Sequence, residues 1–154
     1  MTNSYMTISI DQVKKLRAET KAGVMEVRKA LEQSKGDMKK AKKWLIEQGL
    51  SKAAKKADRE TGDGLIAAYI HNGQIGALVK VGCETDFVAK TEEFQTLCKE
   101  IAMQVASMNP ESIEELLAQA YIRDSKQTIN DLIKSAIAKI GENIVVLEIK
   151  RMEI

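Results

Sequence analysis

Residues 65–83 read LIAAYIHNGQIGALVKVGC. Two largely apolar runs, Leu65–His71 and Gln74–Cys83, flank the dipeptide Asn72-Gly73. Asn-Gly accepts the positive φ angles of a type I′ turn, whose twist matches that of the strands it joins. The stretch is therefore expected to be an antiparallel hairpin. On its second strand Ile75, Ala77, Val79, Val81 and Cys83 share one face, and Gly76, Leu78, Lys80 and Gly82 the other. The first face is uniformly apolar, so it should lie against helices.

Downstream, Thr91–Ser107 reads as an amphipathic helix. Its stripe is Phe94, Leu97, Cys98, Ile101, Ala102 and Val105, and Glu92 and Glu93 suit the helix dipole in its first turn. Asn109-Pro110 stops it. Glu111–Ala120 is expected to form a short helix. Thr128–Ile140 is expected to form another, with Ile129, Leu132, Ile133, Ala136, Ile137 and Ile140 inward and Gly141 at its end. Ile144–Ile154 alternates and is β-branched, which predicts a third strand with Val145, Leu147 and Ile149 inward.

Upstream, three short helices are expected. Ser9 can cap the first, over residues 9–20, in which Ile10, Val13 and Leu16 recur at a spacing of three. Gly23 separates it from the second, which turns Val24, Val27 and Leu31 inward and ends at Gly36. Asp37 caps the third, whose stripe is Met38, Ala41, Trp44, Leu45 and Gln48, and Gly49 closes it. Residues 51–60, SKAAKKADRE, are good helix formers without an apolar stripe, the mark of a solvated connecting helix. The fold class is thus α+β. A three-helix module over 1–50 and a linker helix over 51–62 precede an α+β core over 63–154, a three-stranded antiparallel sheet covered by helices.

Composition narrows the function. The 154 residues include one Pro, one His and two Cys. No apolar run reaches the roughly 18–20 residues of a membrane helix, and Met1–Ile10 has no secretory pattern, so a cytoplasmic protein is expected. Cys83 and Cys98 fall on apolar faces and read as core thiols in a reducing compartment. His71 alone supports no multi-histidine metal centre, so neither metal nor cofactor is expected. Residues 1–60 carry 15 Lys or Arg against 8 Asp or Glu, whereas residues 61–154 carry 9 against 14. A basic front and an acidic back suggest two units with different surfaces.

Between the second strand and the helix at Thr91 lies Glu84-Thr85-Asp86-Phe87-Val88-Ala89-Lys90. Phe87 falls in this connection, where a large apolar side chain has no evident place in the core. Either it tucks under the sheet edge as a staple against the next helix, or it stands exposed at a loop tip for a partner.

Thr85-Asp86-Phe87-Val88-Ala89-Lys90 resembles the signature of the elongation factor Ts family. Three further blocks resemble that family in order. They are Val13-Lys14-Lys15-Leu16-Arg17 with Thr20, Gly23 and Lys29-Ala30-Leu31, then Lys52-Ala53-Ala54-Lys55-Lys56-Ala57, then Lys139-Ile140-Gly141-Glu142-Asn143-Ile144. The resemblance implies a guanine-nucleotide exchange factor for elongation factor Tu, acting by protein binding and not as an enzyme. It implies that the N-terminal module is similar to a ubiquitin-associated (UBA) domain. It implies that Thr85, Asp86, Phe87 and Val88 form the tip that dislocates the partner's Mg2+, with Phe87 as wedge and Asp86 making polar contacts beside it. On the module it implies partner contacts at Arg17, Val24, Met25 and Arg28, with Lys56 in the linker. From periodicity alone Val24 reads equally as helix core, and the two arginines as solvated surface. Lys21 stands where the family commonly has glycine.

Longer members have a second core subdomain. This sequence resembles the short form with one core half, which implies a homodimer through the exposed side of the sheet. Its segment between Asn109 and Tyr121 is short, so helices present there in other short members are expected to be missing.

Two other classes compete. An RNA- or ribosome-binding module would use the basic front, but residues 1–60 interleave only Tyr5 and Trp44 with the basic side chains, so no direct nucleic-acid contact is expected. A small enzyme built on Cys83 or Asp86 lacks a base at a recognisable spacing and a Gly-rich phosphate loop.

Overall fold

The computed structural model describes residues 8–154; Tyr5 and the segment searched for a secretory pattern fall wholly or partly outside them. The chain divides into two compact units, one up to Ser51 and one from Lys52 to Ile154.

The first unit is helical. Helix α1 spans Ile10–Thr20 behind a capping box in which Ser9 and Gln12 satisfy each other's backbone N–H. Helix α2 spans Val24–Gln33, and α3 begins at Met38, where Asp37 accepts from the backbone of Lys39 and Lys40. Leu16, Val27, Ala30, Leu31, Ala41 and Leu45 close a small core, with Met38 and Trp44 packed against it. Val24 is not part of that core; it is 46% exposed. Gln48, expected inward, is also exposed.

Two helix ends differ from expectation. Helix α2 stops at Gln33, and both Lys35 and Gly36 take left-handed φ angles of 51° and 79° before α3. Helix α3 does not close at Gly49 but runs to Ala54. A helical glycine costs only about 1 kcal/mol against alanine, and Ala53, buried in the second core, anchors the extra turns. The linker is thus the end of α3 followed by turns, not a separate helix.

The second unit is α+β. Strand β1 (Asp63–His71) and strand β2 (Ile75–Cys83) form the expected hairpin, with Asn72 and Gly73 at φ 50° and 68°. Strand β5 (Val145–Glu153) pairs antiparallel with β2, giving the order β1-β2-β5. Helix α5 (Glu92–Met108) is capped by Thr91 and ends at Asn109, φ 46°; every residue of its expected stripe is buried. Helix α7 (Ile129–Ile140) starts from a Thr128–Asp131 capping box and ends at Gly141, φ 87°. Val79, Val81, Phe94, Ile101, Ile129 and Ile137 belong to the common core.

The inward face of β5 corrects the sequence reading. Val79 faces Ile149 and Lys80 faces Glu148, but Val81 faces Val146. Leu147 is the extra residue of a β-bulge, so the alternation shifts by one there. Val146 and Ile149 face inward, whereas Val145 and Leu147 are exposed.

Between α5 and α7 lie helix α6 (Ile113–Ala118) and two paired strands, β3 (Ala120–Tyr121) and β4 (Asp124–Thr128). The buried Gln104 of α5 holds this ribbon, donating to Gln119 Oε1 and the Ala120 carbonyl and accepting from the Ile122 N–H. No helix of the described residues is long and apolar enough to cross a membrane.

Candidate functional site

The connection after β2 folds into one helical turn, α4 (Asp86–Ala89). Thr85 is its N-cap, with its hydroxyl oxygen accepting from the Val88 N–H at 3.4 Å. Val88 packs on the core and Ala89 is buried, so the turn is tied down on its inner side. Phe87 points away from that side and is 80% exposed. The staple reading of Phe87 is thereby excluded. Lys90 Nζ reaches back to Asp86 Oδ2 at 2.8 Å. Its ammonium holds the Asp86 carboxyl below the usual carboxylate range and is itself raised in return.

A second layer fixes the start of the turn. Glu142 Oε2 accepts the backbone N–H of Glu84 and of Thr85, each at 3.0 Å, and Glu142 Oε1 accepts the Thr85 hydroxyl at 2.6 Å. In return Glu84 Oε1 accepts the Asn143 N–H at 2.7 Å and lies 3.6 Å from the Arg59 guanidinium. The buried Asn143 side chain donates to the carbonyls of Ala57 and Arg59, at 3.3 and 2.8 Å. Three chain segments remote in sequence meet in this polar cluster.

Sequence reasoning gave Glu84, Glu142 and Asn143 no role at the tip. A signal was present: Glu142-Asn143 puts two polar groups between the glycine closing an apolar helix and a strand of the core. Buried groups of that kind must find partners.

The other candidates lie apart from the tip along the chain. Arg17 is exposed in the last turn of α1. Val24, Met25 and Arg28 share the first turns of α2; Met25 is 74% exposed, and Arg28 pairs with Glu32 at 3.2 Å. Lys56 is half-buried in the turns after α3. Cys83 and Cys98 are buried thiols, and burial pushes Cys98 up to about 12, away from nucleophilic use. Among the described residues no group of three or more His, Cys, Asp or Glu is placed to hold a metal.

A family profile described as Elongation factor TS matches residues 84–154, from the start of the tip to the end of β5. A protein of Leptospira biflexa named Elongation factor Ts is 40% identical, over 97% of this chain and 98% of its own length. Proteins of the same name from Nitratidesulfovibrio vulgaris and a Thermoanaerobacter species are 39% and 41% identical, covering 97% and 95% of this chain.

The chain belongs to the elongation factor Ts family. Its matched span in the family profile includes both the tip and Glu142. The alignments run over 192–195 residues against the 154 of this chain, so these relatives carry residues within the matched span that it lacks.

Proposed function

We propose that this chain is a cytoplasmic guanine-nucleotide exchange factor that binds elongation factor Tu·GDP and promotes GDP release. The supporting observation is the exposure of Phe87 on a turn whose inner side and first residues are pinned. An aromatic ring in water has no folding benefit there, and such anchors dominate binding energy at interfaces. Phe87 enters a pocket between helices of the partner's GTPase domain, with Thr85, Asp86 and Val88 shaping the contact. The shift disturbs the partner's Mg2+ and phosphate environment. By linkage, a factor that prefers the nucleotide-free partner weakens GDP affinity by the same ratio. The chain performs no covalent chemistry and uses no cofactor of its own.

The first unit acts as a UBA-like module and makes the second contact, through Arg17, Val24, Met25 and Arg28, with Lys56 beyond it. Val24 and Met25 support this role because they are apolar and exposed side by side. The chain works as a homodimer through the outer face of the sheet, where Ile66, Ile70, Leu78 and Met152 stand in solvent.

Stopped-flow release of a fluorescent GDP analogue from elongation factor Tu tests the exchange activity. The wild-type chain should accelerate release, and Phe87→Ala should slow it by roughly 30-fold or more, the size of an interface hot spot. A folded wild-type chain that leaves the rate unchanged would sink the proposal.

A further inference from the structure

We propose that Glu142 is a positioning residue for Phe87, holding the tip in its binding geometry by clamping Thr85 and the backbone before it. The inference rests on the exchange activity proposed above and names the device that makes the wedge rigid.

The Phe87 ring has little contact of its own to fix it, being 80% exposed. Its direction depends on the turn that carries it. That turn has four helical residues and is capped by one hydroxyl. A threonine hydroxyl has a single proton. Here that proton goes to Glu142 Oε1, so the oxygen lone pairs are left facing the open N–H end of α4. The other carboxylate oxygen takes the two backbone N–H groups that precede α4. One ionised side chain thus satisfies three donors within two residues, and charge-assisted bonds of this kind are stronger than neutral ones.

Glu142 is itself well placed to act as a fixed point. It follows Gly141, the left-handed end of α7, and that helix is anchored by buried Ile129, Ile133 and Ile137. The return bond from the Asn143 N–H to Glu84 makes the clasp reciprocal. Rigidity of this sort raises affinity because less freedom is lost on binding.

The test uses the full chain and elongation factor Tu loaded with a fluorescent GDP analogue. Glu142→Ala and Thr85→Val are compared, each alone and combined with Phe87→Ala. Each single variant should lower exchange efficiency by about 10-fold, the scale of one or two newly mobile side chains. In the Phe87→Ala background the same changes should cost less than about twofold, because the wedge they position is gone. Amide hydrogen exchange in Glu142→Ala should show lost protection at Glu84, Thr85 and Val88 while α5 keeps its own. Thr85→Val removes the hydroxyl, and with it both the bond to Glu142 Oε1 and the cap on the Val88 N–H, and it covers the case in which Glu142→Ala does not fold.

Wild-type exchange rates in both single variants, or effects that multiply with that of Phe87→Ala, would overturn the inference. So would unchanged protection at residues 84–88. A wild-type chain without exchange activity would overturn the functional proposal instead, and the hydrogen-exchange comparison would still decide whether Glu142 holds the tip.

Discussion

Lys90 closes one helical turn onto Asp86, Nζ to Oδ2 at 2.8 Å, and the turn between them carries Phe87. The pair is exposed, so its attraction is screened by water and salt. Its measurable sign is in titration. A carboxyl held low contributes above its unfolded pKa and loses that contribution as pH falls through the lower folded value. The Asp86 carboxyl, followed by NMR, should therefore titrate below 3.8, and Lys90→Ala should bring it back toward that value. An unchanged midpoint in Lys90→Ala would mean that the lysine does not hold Asp86 in solution.

Alkali should destabilise the second unit through its thiols. Cys98 is pushed up to about 12, chiefly by burial, and Cys83 is raised by burial and by the Glu142 carboxylate. A thiol raised in the folded state contributes fully below its unfolded pKa, about 8.5. Above that value the unfolded chain ionises first, so stability falls as pH climbs toward the folded value. Each thiol then costs up to about 1.4 kcal/mol per pH unit. Urea denaturation between pH 9 and pH 11 should show a shallower loss in Cys98→Ala than in wild type. Equal slopes would place the alkaline transition elsewhere.

How far the sequence could be read depended on whether a residue's surroundings were local. The hairpin around Asn72-Gly73, the caps at Ser9 and Asp37, and the stripe from Phe94 to Val105 are local signals, and the structure carries each of them. Leu147 was misread because a bulge is a property of two strands, and a one-residue slip exchanges the faces. The β3–β4 ribbon was missed because Asp124–Thr128 has no apolar alternation; Gln104 of another element holds it. At the tip the motif located Thr85–Val88, but whether Phe87 stood in or out depended on long-range packing. The Glu142 clamp joins residues 57 and 58 positions apart, which no period within one element could reveal.

Lys21 closes α1 in the left-handed region, φ 57°, with its N–H donating to the Arg17 carbonyl at 2.8 Å. A side chain at such an angle costs roughly 1–2 kcal/mol, whereas glycine adopts it freely. This explains physically why glycine suits the position. Lys21→Gly should stabilise the first unit by roughly 0.5 kcal/mol, the relief of strain less the extra entropy of an unfolded glycine. Trp44, half-buried in that unit, reports its unfolding. A urea midpoint in Lys21→Gly equal to or below that of wild type would show that the angle is not strained.

The outer face of the sheet offers a sharp test of the proposed homodimer. Leu78 lies at its middle, on the central strand, between Ala68 of β1 and Lys150 of β5. One row away, Ile70, Gly76 and Met152 stand in line, and on the other side Ile66, Lys80 and Glu148 do. A two-fold axis along the central strand would set the Ile70, Gly76 and Met152 row of one copy against the same row of the other. A charge at Leu78 would then meet its own copy across that axis. Because Leu78 is exposed in the isolated chain, a polar residue there should change monomer stability by no more than about 0.5 kcal/mol. Leu78→Asp should therefore give a folded monomer by analytical ultracentrifugation where the wild type sediments as a dimer. A Leu78→Asp dimer as tight as the wild type would place the contact elsewhere, and a wild-type monomer at high concentration would remove it altogether.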